Sequence, residues 1–300
     1  MKKVTIFFAI LSIAILVYGI VTTKEIRKTF KINDNTGLII DNLNGPVKIT
    51  GWDKDFVDVL IIKKTSHGRE TLDKVDIVMK QMKDIIIETK HLSKNPKVSV
   101  SYELNVPKEL LLRSIQSSNG SISITGAGIV DVVHTSNGSI SLEKCEGEIN
   151  ADTSNGSITA EDINGSVIAN TSNGRVRLEN ITGVTEANTS NGSIQIYNVV
   201  SIGNVKTSNG SIKAQIAELS NDVDIKSSNG SITLYLANNI DAEIEASTSN
   251  GKVRLHDFAI TADNISKSFV SGIIGNGGNL LKLDTSNASI HIYSDDQIKF

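Results

Sequence analysis

The chain has 300 residues, 39% of them apolar but only 4% aromatic, and a formal net charge of −3. That length allows one large domain or two ordinary ones, with a core of Ile, Val, Leu and Ala that suits thin layers of strands. Near-neutrality removes the basic field of a nucleic-acid binder. The single cysteine, Cys145, excludes an intramolecular disulfide, a zinc site built from four cysteines and a CxxC redox pair. It reads as a small buried residue.

The first thirty residues are a different material. MKKVTIFFAILSIAILVYGIVTTKE opens with two lysines, and an uncharged apolar run follows from Val4 to Val21. That run is long enough for a short transmembrane helix and slightly long for a signal-peptide core. No small-x-small cleavage site and no lipoprotein cysteine follow. Residues 1–30 are therefore expected to be a signal peptide or N-terminal anchor, with the membrane as partner through residues 4–21. The remainder is expected to be exported, to the periplasm or the cell surface. Lys24, Arg27, Lys28 and Lys31 come after the run, so the distribution of basic residues does not fix the orientation.

Residues 31–115 read as a strand-rich, non-repeating N-terminal module. Val75, Ile77 and Met79 alternate with polar residues, as do Ile85 and Ile87, and period two marks a strand.

From 116 to 255 the chain repeats. The glycines of the phrase SNG fall at 120, 138, 156, 174, 192 and 210, always at the same step, with looser copies ending at Gly230, Gly251 and Ala288. A fixed period of this length marks a repeat architecture. After each phrase comes an alternating tetrad, such as SISI at 121, SITA at 157, RVRL at 175 and KVRL at 252. A fainter second strand follows, with Ile149, Ala151 and Thr153 inward, then Val167, Ala169 and Thr171. The expected fold is all-β: a β-solenoid of about nine two-strand coils, each about 18–21 residues, stacked about 4.8 Å apart. A hairpin meander would leave one apolar face bare, and no amphipathic helix is available to cover it.

The constancy of the SNG corner reads as structural. Asn and Gly tolerate left-handed backbone, and like asparagines in successive coils can bond to one another. The expected ladder is Asn119, Asn137, Asn155, Asn173, Asn191, Asn209, Asn229, Asn250 and Asn287. Residues 256–300 would hold the last coils and a cap, with an apolar insertion, DFAITADNISKSFVSGIIGNGGNL, folded over them.

The outward row of the first strand is rich in hydroxyls and broken by Arg175, Arg177, Lys213, Lys252 and Arg254. Such a stripe fits an anionic cell-wall or surface polysaccharide, or another envelope protein, through guanidinium forks and ammonium charges. The threonines of TSNG fall in step with inward residues, which argues against an ice-binding array. No zincin, P-loop, nucleophile-elbow or calcium-nonapeptide motif occurs, so no catalytic, metal or cofactor residues are expected. Arg175, Arg177, Asp152 and Glu161 keep open a polysaccharide-lyase reading, and a solenoid that polymerises end to end is the third.

Taken in order, NLNGPVKITGWDKDFVDV, SVSYELNVP, SSNGSISITG, the TSNGSI phrases and SGIIGNGGNLLKLDTSNASIHI resemble the bacterial putative-adhesin, β-strand-repeat family of unknown function. The resemblance covers about residues 31–295. It implies an envelope protein with a solenoid-like body, and it carries no catalytic residues.

Overall fold

The computed structural model describes residues 21–33, 35–256 and 260–294. Residues 1–20 lie outside it, and with them the apolar run except Val21. No helix among the described residues is long and apolar enough to cross a membrane. The β-structure begins at Thr22, directly after the apolar run and inside the residues 1–30 expected to form the leader or anchor.

Like stacks on like. The strand Ile158–Thr171 pairs in parallel with Val176–Thr189, setting Ile158 on Val176, Ala160 on Leu178 and Ala169 on Ala187. Val176–Thr189 pairs in the same way with Ile194–Thr207. Each partner stands one repeat further along the chain, so the sequence period is the rung period. The fold is all-β, open and solenoid-like. One stack holds the strands that start with Ser-Ile, here the Ser-Ile sheet. The other holds the strands that end at the corner threonine, here the threonine sheet. Ile158, Ala160, Val167 and Ala169 are fully buried and belong to one core that runs through both sheets. Aliphatic side chains on a pleated strand bury one face each, which is why period two is enough to build it.

The corner has two reasons for its constancy. Thr153 Oγ donates to the Gly138 carbonyl of the previous coil at 2.9 Å and accepts from the Gly156 N–H of its own corner at 3.3 Å. Thr171, Thr189 and Thr207 repeat the pair. The glycine is fixed by closeness. A Cβ on Gly156 would lie 1.8 Å from the Gly138 carbonyl oxygen, and on Gly174, Gly192, Gly210 or Gly230 it would lie 1.7 Å from the glycine oxygen of the coil before. This corrects the left-handed expectation. None of these glycines or their asparagines has positive φ; what they need is room for a backbone to approach. Ala288 fills the one corner without glycine, and nothing in its surroundings accounts for the exception.

Left-handed backbone occurs at the other corner. Lys144, Asp162, Asn180 and Asn198 stand one repeat apart and have φ of 53°, 55°, 56° and 48°. Asn and Asp tolerate that region better than most residues. Asn180 donates to Asp162 at 2.7 Å and Asn198 to Asn180 at 2.6 Å, so this corner carries a short amide ladder of its own.

At both ends the chain order departs from the stacking order. Gly37–Asn42 lies between Ile85–His91 and Leu111–Ser117, and Val47–Trp52 lies between Ser99–Pro107 and Ile122–Thr125. The sequence NLNG at 42–45 is thus an early copy of the corner: a Cβ on Gly120 would lie 1.7 Å from the Gly45 oxygen. At the far end, Leu280–Thr285 and Ile290–Ser294 slip between Val223–Leu236 and Ala242–His256. The rung after the Gly230 coil is therefore the Ala288 coil, with the Gly251 coil outside it. Residues 257–259 of the insertion lie outside the described residues, and its described part extends the sheet edge rather than folding over the coils. It forms two antiparallel strands, Phe269–Ile274 on Ala242–Thr248 and Thr261–Ile265 beyond. At the near end, Phe56–Thr65 and Thr22–Lys31 add antiparallel strands outside Ser99–Pro107. Closing a parallel stack with antiparallel edges limits further pairing with like edges.

Gly156→Ala is expected to lower stability by about 2–4 kcal/mol, because backbone rather than a side-chain tip must move. Gly126→Ala opens on space, with nothing within 4 Å, and should cost only about 1 kcal/mol from its left-handed φ. Denaturant midpoints of the two variants check the contrast.

Candidate functional site

Parallel stacking turns a position in the repeat into a row on the surface. In the Ser-Ile sheet one outward row runs Ser123, Ser141, Thr159, Arg177, Gln195, Lys213, Thr233, His291, Arg254. The row two residues on runs Thr125, Glu143, Glu161, Glu179, Tyr197, and its distal part runs Gln215, Tyr235, Tyr293, His256. Arg177, Lys213 and Arg254 therefore share a row. Arg175 and Lys252, each two residues earlier, flank it at the corner and are exposed. Because of the out-of-order coil, Thr233 and His291 separate Lys213 from Arg254.

The two rows differ along the rod. Near Arg177 the neighbours are carboxylates, and the Arg177 guanidinium donates to Glu179 Oε2 while its carbon sits 5.9 Å from the Tyr197 ring centre. Farther on they are rings. Lys213 Nζ lies 5.7 Å from the Tyr197 centroid and 5.2 Å from that of Tyr235. Tyr235 stacks on Tyr293 at 5.4 Å, and Tyr293 on His256 at 4.2 Å. His256 Nε2 and His291 Nδ1 are 3.1 Å apart, one donating and the other accepting. Burial pushes the His291 pKa down, and the charges of His256 and Arg254 push the same way. Cations over ring faces are held by the ring quadrupole, so the ammonium is positioned even though the face is open.

The asparagines of the corner form a third row. Asn137 donates to Asn119 at 2.8 Å, and the chain of amide bonds continues through Asn155, Asn173, Asn191, Asn209, Asn229 and Asn287 to Asn250. Every amide between the two end members spends one N–H and one carbonyl lone pair on the ladder, which makes the row rigid.

On the threonine sheet, Asp152, Asn170, Asn188 and Lys206 stand beside the corner serines and line a shallow polar groove of about 340 Å³. Asn188 donates to Asn170 at 3.0 Å and Asn170 to Asp152 at 2.9 Å. The sequence shows these residues as outward, but not that the corner overhangs them. Asp152 thus stands on a different sheet from Glu161, Arg175 and Arg177, and the four residues of the lyase reading do not meet. Cys145 is buried, and burial pushes its thiol pKa up to about 11. No cluster of three or more metal-ligating side chains occurs among the described residues.

The model of the Toastrack family of unknown function, DUF4097, matches residues 38–293. The chain belongs to the Toastrack family. Solved structures similar to this Toastrack chain include a "putative adhesin" from Parabacteroides distasonis, 11% identical, covering 90% of this chain and 97% of that one at a TM-score of 0.45. A "putative lipid binding protein" from the same organism is 16% identical, with 92% and 97% coverage and a TM-score of 0.39. A "putative cell adhesion protein" from Clostridium sporogenes is 13% identical, with 91% and 100% coverage and a TM-score of 0.22. No curated protein matches the chain.

Two outcomes follow from the titrating groups. Because the His291 pKa is lowered in the folded state, the unfolded chain binds more protons below its ordinary value near 6.5. Stability should therefore be lost as pH falls through and below that value, and His256→Gln should weaken the dependence; melting temperatures across that range check both. Cys145 should resist a maleimide in the native protein and react only on unfolding, since the thiolate is the nucleophile; mass spectrometry with and without denaturant reads this.

Proposed function

We propose that this Toastrack protein is a non-enzymatic, adhesin-like scaffold of the bacterial cell envelope. Its body of about nine coils is held at the membrane by residues 4–21 and presents the Ser-Ile sheet outward as a multivalent binding face. The occupant is an anionic polymer, a cell-wall or acidic surface polysaccharide. The observation that carries this reading is the shared row of Arg177, Lys213 and Arg254, flanked by Arg175 and Lys252 and backed by the Tyr197, Tyr235, Tyr293 and His256 rings. Rungs about 4.8 Å apart offer a flexible polyanion many weak contacts in register. Linking such contacts raises avidity without any single strong site. The ammonium and guanidinium groups give the polymer's acids a partner, and the buried Tyr197 and Tyr235 rings hold Lys213 in place for it.

The full chain in detergent should bind teichoic-acid-like and uronic-acid polymers and ignore a neutral glucan, with affinity falling as salt rises. Combining Arg175→Gln, Lys213→Gln, Lys252→Gln and Arg254→Gln should weaken binding by roughly tenfold or more, each exposed contact contributing up to about 1 kcal/mol. Unchanged polymer binding by that variant would sink the assignment of the face.

A further inference from the structure

Charge is distributed unevenly along the chain. Residues 21–100 carry 15 Lys and Arg against 11 Asp and Glu, whereas residues 101–300 carry 13 against 22. The cap is basic and the stack is acidic. Within the cap, base is concentrated on the outermost strand of the Ser-Ile side. Thr22–Lys31 holds Lys24, Arg27, Lys28 and Lys31 against one acid, Glu25. All four basic side chains are exposed, and none forms an ion pair among the described residues. The strand pairs only with Phe56–Thr65 among the described residues, and the register sets exposed Lys64 opposite Thr23, whereas Lys63, opposite Lys24, is buried and donates to the Val75 carbonyl.

Lysines on an edge strand can serve simply to repel a second sheet. The neighbouring sequence asks more of this edge. The strand starts at Thr22, directly after the apolar run ends at Val21. Three extended residues span about 10 Å, close to one Debye length at physiological salt. With residues 4–21 in a bilayer, Lys24 stands in the headgroup layer, and a strand that runs along the surface brings Arg27, Lys28 and Lys31 to it as well.

We propose that Thr22–Lys31 and the basic cap lie on a membrane surface that contains acidic lipids. Lys24, Arg27, Lys28 and Lys31 pair with the lipid phosphates, as basic segments beside a membrane do. This inference rests on the anchoring role of residues 4–21.

The full chain is reconstituted with vesicles of phosphatidylcholine alone and of an equal mixture of phosphatidylcholine and phosphatidylglycerol. Flotation reads the anchor, and hydrogen exchange within Thr22–Lys31 reads the docking. The chain should float with both, and exchange in that strand should slow by roughly tenfold only in the acidic vesicles. Molar salt should remove the protection. So should Lys24→Gln, Arg27→Gln, Lys28→Gln and Lys31→Gln together, while Lys24→Arg, Lys28→Arg and Lys31→Arg together should keep it. A floating chain with equal exchange in both lipids overturns the docking and leaves the anchor standing. Flotation with acidic vesicles alone overturns the anchor and supports the docking; flotation with neither overturns both.

Discussion

One backbone contact sets the terms for the rest of the molecule. At each SNG corner the carbonyl oxygen of one glycine occupies the space where the next glycine would carry a Cβ, 1.7–2.1 Å from that point along the run from Gly138 to Gly230. So close an approach admits no side chain. It recurs only if the chain returns to the same place after each circuit, and for most of the body a circuit is one SNG-to-SNG repeat. The threonine hydroxyl bridges the same two glycines, and the asparagine amide bonds to its counterpart one rung away. Three residues of a four-residue phrase thus hold the rung spacing, and the aliphatic residues fill the interior that results.

A fixed rung spacing makes the surface readable by rows. Any residue lies beside the residue one period on, so a face is as uniform as its column in the repeat. Hydroxyls dominate the proximal part of the Ser-Ile face, with a carboxylate column at Glu143, Glu161 and Glu179 beside them. The distal part exchanges these for Tyr235, Tyr293, His256 and His291, with Lys213 and Arg254 alongside. The repeat builds the scaffold, and its departures concentrate chemistry in one region of it.

The ends follow a different rule from the middle. A parallel stack has two edges whose backbone groups could template another chain. Here each end steps past one rung, returns to fill it, and adds antiparallel strands outside. The cap at the near end is basic and the stack is acidic, so the two ends of the molecule meet a charged surface differently.

Much of this was legible in one dimension. The repeat period, the two strands per circuit and the inward set of Ile149, Ala151, Thr153, Val167 and Ala169 all follow from spacing, because period two decides which face is buried and a fixed repeat decides what stacks on what. The outward position of Arg177, Lys213 and Arg254 follows from the same alternation. What spacing could not show was closeness and order. The corner glycine is required by the carbonyl beneath it, which exists only once the coils are stacked. The NLNG copy at 42–45 is hidden because its neighbours in space, at 98–102 and 117–122, are distant in sequence. The Ala288 coil enters between the Gly230 and Gly251 coils, bringing His291 to Arg254 and His256. Sequence alone determined the rung and its faces, since these are local consequences of backbone geometry. Tertiary structure decided which rungs are neighbours, since two crossovers reorder the stack, and with that which rings and charges share the face.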